Sequence, residues 1–160
     1  MSELRVGSGF DAHRLVDGRP LVLGGVRIAH ERGLEGHSDG DCLLHALCDA
    51  LLGAVAAGDM GAHFPSRDQR WKGTDSLLFL EEASRIVASR GYAIENVDAT
   101  IIAQAPPLAS YVEDMRRMIG RSLALELTEV SVKLKSADTL GALGRGEGIA
   151  AQATVLLRRA

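Results

Sequence analysis

The chain has 160 residues, of which 46% are hydrophobic and 24% charged, with a net charge of −3. That profile fits one globular domain, long enough to bury a core without disulfides, and excludes collagen, coiled coil and disorder. Aromatics make up 4% and glycines number 18, so the core must be aliphatic, and the charge offers no basic field for nucleic acid.

In chain order, Leu4–Phe10 reads as a strand and Leu21–Ile28 as a second, with Asp17-Gly18 and Pro20 as turn residues between them. Ser38 is placed to cap a helix from about Asp39, with Asp41 as its capping-box partner. Apolar residues at 43, 44, 47, 51, 52 and 55 keep helical spacing, and Gly58 fits just past the end. Cys42 and Cys48, six residues apart on this segment, turn away from each other on a helix, so a reduced, cytosolic protein is expected. The segment is too short, and too interrupted by His45 and Asp49, to cross a bilayer. A loop from Asp59 to Gly73 precedes a helix capped by Thr74 or Asp75, running to about Arg90 and ended by Gly91. Val97–Ala103 reads as a strand, Pro106-Pro107 as a break, and 109–123 as a helix. Val130–Lys135 and Gly148–Leu157 close the chain as strands. The expectation is one α+β domain over residues 1–160, strands at both ends and helices between. The start, MSELRVGSGF, resembles neither a signal nor a transit peptide, which favours the bacterial cytoplasm.

Three constellations carry chemistry. In Asp11-Ala12-His13, an extended backbone points the carboxylate and the imidazole to one side, a common start for a zinc site. The same pair also serves as a turn Asp and a surface His. His37-Ser38-Asp39-Gly40-Asp41 precedes the apolar helix, placing His37 and Ser38 where a helix N-terminus favours an anion such as phosphate. His45 interrupts Leu and Ala, with Asp41 and Asp49 four residues to either side, and reads either as a satisfied core histidine or as a metal ligand oriented by a helical carboxylate. Two His and one Asp would leave an open coordination position, the catalytic pattern for zinc. Spacing alone leaves His37 and His45 as rivals for the third ligand. In Gly141-Ala142-Leu143-Gly144-Arg145-Gly146-Glu147-Gly148, Arg145 could clamp a phosphate, or the segment is a tight turn with an Arg–Glu pair.

Together these residues resemble the 2-C-methyl-D-erythritol 2,4-cyclodiphosphate synthase family of the non-mevalonate isoprenoid pathway. The resemblance runs from about Arg5 to Leu157. It rests on Gly9-Phe10-Asp11-Ala12-His13, Leu23-Gly24-Gly25-Val26, the His37–Asp41 run with His45-Ala46-Leu47, and Asp49-Ala50-Leu51-Leu52-Gly53. Gly58-Asp59-Met60-Gly61 with Phe64-Pro65, Asn96-Val97-Asp98, Ile101–Pro106 and Gly144–Ala150 complete it. The resemblance implies an α+β fold with a mixed four- to five-stranded sheet, helices on one face, and three sheets packed around a three-fold axis in a homotrimer. It implies a lyase that converts 4-diphosphocytidyl-2-C-methyl-D-erythritol 2-phosphate to the cyclic diphosphate and releases CMP, the substrate's 2-phosphate attacking the β-phosphorus. Asp11, His13 and His45 would bind zinc, which chooses His45 over His37. His37 and Ser38, with Ser136, would position phosphates. Asp59 and Gly61 would hold the erythritol hydroxyls, and Met60 and Phe64 would also bind substrate. Ala103, Pro106, Pro107, Leu108, Leu134, Lys135 and Ser136 would take the cytidine diphosphate. A magnesium or manganese ion would bridge the diphosphate near Asp138. Phe10, Arg145 and Glu147 would line a central cavity able to hold an isoprenoid diphosphate.

The chain departs from the family pattern in three places. Lys133-Leu134-Lys135-Ser136-Ala137-Asp138 stands where Lys-Ala-Thr-Thr-x-Glu is usual, so the carboxylate facing the second cation is one methylene shorter and Lys135 adds a charge. Pro107 replaces a common Lys, and Ser66 a common Asp. A zinc-dependent phosphoesterase and a non-catalytic isoprenoid-phosphate-binding trimer are the competing readings.

Overall fold

The computed structural model describes residues 3–160. Its strands and helices follow the chain as β1 (Leu4–Asp17), β2 (Leu21–Leu23), β3 (Val26–Ile28), β4 (Arg32–Leu34), α1 (Cys42–Ala54), α2 (Met60–His63) and α3 (Ser76–Ser89). Then come β5 (Tyr92–Ile102), α4 (Val112–Leu123), β6 (Val130–Lys135), α5 (Gly141–Gly144) and β7 (Gly148–Arg159). Five strands form one mixed sheet in the order β4-β1-β7-β5-β6. The β5–β6 pair is parallel and the other pairs antiparallel.

The sheet has one covered and one open face. Along β1, Gly7 is buried and Gly9, Asp11 and His13 are half-buried, while Val6, Ser8, Phe10 and Ala12 between them are exposed, the period-two alternation of a strand with one packed side. The packed side meets α1, which also contacts β7 and α3. Of the thirteen residues of α1, ten are buried; the other three, His45, Asp49 and Gly53, form a single stripe at four-residue spacing. A helix so nearly apolar all round must lie in the core, and its one polar stripe marks where the core opens. The core is aliphatic, as composition requires, with Leu and Ala dominating α1. Both cysteines of α1 are buried and unpaired, and burial pushes their thiols well up, so they behave as small apolar fillers. Among the described residues no helix is long and apolar enough to cross a membrane.

Several boundaries differ from the sequence expectation. Leu21–Ile28 is not one strand but a hairpin, because Gly24 and Gly25 take φ of 60° and 73° and form a two-residue turn. β1 runs on to Asp17, since β7 pairs it as far as Arg14 and β4 takes over at Leu15. The first helix begins at Cys42, capped by Asp41 rather than Ser38, and Gly58 lies beyond the Val55 C-cap in the next turn. β5 starts at Tyr92 and absorbs a bulge between Ile94 and Asn96. One 3-10 turn over Ala109–Tyr111 precedes α4.

Asp41 explains its own choice as cap. Fully buried, its carboxylate accepts from Leu44 N–H at 3.1 Å in α1 and from Gly24 and Gly25 N–H at 3.0 and 2.8 Å in the hairpin turn. Desolvation by burial nevertheless outweighs these donors and pushes its carboxyl up to about 6 from an ordinary 3.8. The folded state therefore binds an extra proton between these values, and the associated stability is full below pH 4 and lost as pH rises through 6. Urea unfolding from pH 4 to 7 is expected to show the wild-type chain losing about 3 kcal/mol that an Asp41→Asn variant does not lose. Parallel pH curves for the two proteins would refute that reading.

Candidate metal centre and its two pockets

Asp11 and His13 project together from β1, and His45 faces them from the open stripe of α1. Asp11 Oδ2 lies 2.7 Å from His13 Nε2 and 2.9 Å from His45 Nδ1, and the two ring nitrogens are 3.2 Å apart. Glycine sets this closeness: a Cβ on Gly9 would fall 2.0 Å from the Ala46 carbonyl oxygen, and one on Gly7 1.9 Å from that of Ala50. Burial by itself would raise the Asp11 carboxyl, but hydrogen bonds and charge from His13 and His45 overcome it and hold the group well below the ordinary range. The hydrogen bond to Asp11 raises His13 against the opposing effect of burial. Two imidazoles and one carboxylate, all half-buried, are the only group of three such side chains converging within 4.8 Å among the described residues. That donor set suits zinc and leaves a further position open.

The carboxylates expected to orient His45 do not touch it. Asp41 is spent on the helix cap and the hairpin, while Asp49 accepts Met60 N–H at 2.8 Å and thereby seats α2. Hydroxyls take their place: His45 Nε2 lies 3.1 Å from Ser38 Oγ and 3.0 Å from Ser76 Oγ. The free helix N-terminus expected beside His37 and Ser38 is also filled, by the Asp41 carboxylate, so any anion there would meet side chains rather than helix N–H groups. Ser38 is held in place by the Arg19 guanidinium, which donates to the Gly36 and Ser38 carbonyls at 2.9 and 2.7 Å.

Beside the triad opens a cavity of about 170 Å³ lined by His13, His37, Ser38, His45, Met60, Phe64, Ser66, Trp71 and Phe79. Half of the chain's six aromatic residues form its wall, with ring centroids 4.7 Å apart for Phe64–Phe79, 5.4 Å for Phe64–Trp71 and 5.6 Å for Trp71–Phe79. Asp59 caps α2 by accepting Ala62 N–H at 2.9 Å, and it and Gly61 stand next to the cavity rather than in its lining. A second cavity of about 200 Å³ is lined by Ile101, Ala103, Gln104, Pro106, Pro107, Leu108, Leu134, Lys135 and Ser136. All seven residues expected on the nucleotide side are there, around the ends of the parallel β5–β6 pair. The two cavities share no residue.

Asp138 does not line either. It sits exposed after β6 at φ 47°, accepting from Ser136 Oγ at 2.9 Å, a single carboxylate rather than a cage. Phe10 is 63% exposed on the open sheet face, opposite Gln152. Arg145 pairs with Glu147, and Glu147 lies in a groove with Ala12, Arg14 and Leu143 that does not include Phe10. One chain thus does not bring the three together. Asp39, Trp71, Ser76 and Phe79 were not foreseen as site residues. Asp39 stands inside the His-Ser-Asp-Gly-Asp run, where it could have been noticed; Ser76 carries no local signal beyond following a cap.

An Asp-His pair on a sheet strand, a His on a buried helix and a separate pocket at a parallel strand pair define a class of small metal-site α+β domains. A model of the YgbB family matches residues 4–158. A 2-C-methyl-D-erythritol 2,4-cyclodiphosphate synthase from Laribacter hongkongensis is 57% identical over 97% of this chain and 96% of its own length, and one from Alkaliphilus metalliredigens is 55% identical over 95% and 96%. A solved structure of a 2C-methyl-D-erythritol-2,4-cyclodiphosphate synthase in a CDP-bound form superposes with a TM-score of 0.89 at 38% identity, covering 96% of this chain and 99% of that one. The bifunctional IspDF from Campylobacter jejuni superposes with a TM-score of 0.96 at 38% identity; this chain spans 43% of its length. The chain belongs to the YgbB family, that of the 2-C-methyl-D-erythritol 2,4-cyclodiphosphate synthases.

Proposed function

We propose that this chain, as one synthase domain over residues 1–160, converts 4-diphosphocytidyl-2-C-methyl-D-erythritol 2-phosphate to 2-C-methyl-D-erythritol 2,4-cyclodiphosphate and CMP. The observation that carries the reading is the convergence of Asp11, His13 and His45 beside a pocket that also presents His37 and Ser38. A 2-phosphate oxygen attacks the β-phosphorus, the bond from that phosphorus to the oxygen it shares with the α-phosphate breaks, and its electron pair leaves on CMP. No protein nucleophile is needed, so the protein's work is positioning and charge stabilisation.

Asp11, His13 and His45 would hold zinc, which when bound stabilises negative charge on a phosphate oxygen. His37 and Ser38 donate hydrogen bonds to the phosphates at the pocket mouth, and the free oxygen of Asp59 accepts from an erythritol hydroxyl. Ser136 donates to the phosphates from the nucleotide side, while Ala103, Pro106, Leu108 and Leu134 enclose the base and ribose. A second cation, magnesium or manganese, would rest mainly on the substrate's own phosphates, because Asp138 offers one exposed carboxylate and no partner ligand. A homotrimer that joins the metal pocket of one protomer to the nucleotide pocket of the next accounts for two half-sites with no residue in common. The exposed Val6 and Phe10 on the open sheet face support it. In that trimer Phe10, Arg145 and Glu147 would face the axis, where an isoprenoid diphosphate could sit.

Phosphorus NMR of the cytidyl substrate with zinc- and magnesium-loaded protein is expected to show the cyclic diphosphate and CMP. Orthophosphate in their place would make the chain a phosphoesterase; no conversion by fully metallated protein would make it a binding protein. Lys135 lines the nucleotide pocket beside Pro107, the position that lacks the family's usual lysine. Lys135→Ala is expected to raise KM for the cytidyl substrate roughly tenfold, the worth of one charge-assisted hydrogen bond, with kcat little changed. An unaltered KM would remove Lys135 from substrate recognition.

A further inference from the structure

We infer that Asp39 and Ser76 are positioning residues that lock His45 in the one tautomer able to bind metal, an inference that rests on the zinc reading of Asp11, His13 and His45. His45 turns Nδ1 toward Asp11 Oδ2 and His13 Nε2, so a metal there needs the lone pair of Nδ1, and the proton must sit on Nε2. Nε2 meets Ser76 Oγ at 3.0 Å. The Ser76 hydroxyl has one hydrogen, and it is committed: Oγ donates to Asp39 Oδ1, an oxygen that only accepts. With that hydrogen spent, Ser76 Oγ can only accept from His45, and Nε2 must carry the proton. The order Nε2–H to Oγ–H to carboxylate then uses the Ser76 hydrogen and both of its partners, and leaves the Ser38 hydroxyl, 3.1 Å from Nε2, to accept as well.

The relay is built to stay in this sense. Ser76 has no exposed surface, so water cannot replace either bond. Asp39 is clamped from two sides, Oδ2 accepting Ser76 N–H at 3.0 Å and Oδ1 accepting Asp41 N–H at 3.1 Å. Its own N–H bonds the Thr74 carbonyl at 3.2 Å, which stitches the loop to the start of α3. Ser38, the other hydroxyl near Nε2, lines the pocket, and among the described residues its Oγ meets only His45 Nε2 and the Gly40 N–H. The two serines therefore divide the labour: Ser76 fixes the ring, and the Ser38 hydroxyl remains free to turn toward substrate. Groups behind a metal-ligating histidine typically change metal affinity 10- to 100-fold.

The test measures zinc dissociation constants by competition with a chromophoric chelator for the wild-type chain, Ser76→Ala, Asp39→Asn and the double variant. Each single change is expected to weaken zinc binding roughly 10- to 100-fold. The double variant is expected to bind no more weakly than Ser76→Ala, because Asp39 reaches the ligand only through that hydroxyl. Unchanged affinity in both single variants, or losses that simply multiply in the double, would overturn the relay. His45→Ala in the same assay keeps the two readings apart. If it binds zinc like the wild type, the zinc site itself is misassigned; if it loses zinc while both single variants keep it, only the relay falls. Should Ser76→Ala fail to fold, Asp39→Asn decides with a second readout, solvent exchange of the His45 ring N–H in the zinc-loaded protein. Faster exchange than wild type is the expected result, and equal exchange would overturn the proposal.

Discussion

His45→Ala is expected to leave the protein folded, nearly free of zinc and without measurable turnover. The imidazole supplies one of three converging ligand atoms, and Asp11 with His13 alone cannot close a site on the metal. Its removal vacates contacts with Ser38, Ser76 and Phe79 at the half-open stripe of α1. That loss costs on the order of 1–3 kcal/mol, which a domain of this size survives. Turnover should fall by at least about 10³-fold, since the charge of the attacked phosphate loses its main stabiliser. Metal analysis after dialysis and phosphorus NMR read the two effects. Size-exclusion mass should not change, because the open sheet face is untouched. Zinc retained at full stoichiometry would show that the third ligand lies elsewhere.

Gly9→Ala tests the geometry rather than the chemistry. A methyl at this position would sit 2.0 Å from the Ala46 carbonyl oxygen, against an ordinary contact of 3.4 Å or more, and the obstacle is helix backbone that no rotamer change can move. Helix α1 would have to retreat by more than about 1 Å from a close-packed sheet. Such overpacking is expected to cost at least about 3 kcal/mol. Because Ala46 follows His45 and Gly9 precedes Asp11 by two residues, the same retreat draws Nδ1 away from the carboxylate. Zinc should therefore restore little of the lost stability in Gly9→Ala while adding several kcal/mol to the wild type. Urea midpoints with and without zinc separate the cases, and an equal zinc-induced gain in both proteins would show that the glycine seat does not govern the site.

Which parts of this were legible in the sequence follows from how far each interaction reaches. β6 lies over Val130–Lys135 as its alternation demands, and α3 starts on the Asp75 cap, because both signals are local. The Gly24-Gly25 turn was hidden inside an apolar run, since either glycine could equally be a weak strand residue until its φ is known. Asp41 won the cap from Ser38 through two N–H groups of the hairpin 16 and 17 residues earlier, a tertiary preference no window around the helix contains. The converging residues Asp11, His13 and His45 were legible as types and spacing, and the resemblance chose His45 over His37. Ser76 was not legible at all: its bond to His45 spans 31 residues and exists only once α3 is docked.

The pairing of β1 with β7 bears on how the molecule comes into being. Arg14 lies opposite Gly148 and Leu4 opposite Arg158, so the strand bearing Asp11 and His13 finds its central partner only at the far end of the chain. Such long-range closure is slow, on the order of milliseconds to seconds rather than microseconds. A nascent chain that has made α1 already owns His45, yet Asp11 and His13, the side chains that converge with it, are not fixed until the last strand has been synthesised and has paired with β1. The seat of the Asp11–His13–His45 cluster is thus completed late in the life of each chain, a mark of finished folding rather than its nucleus.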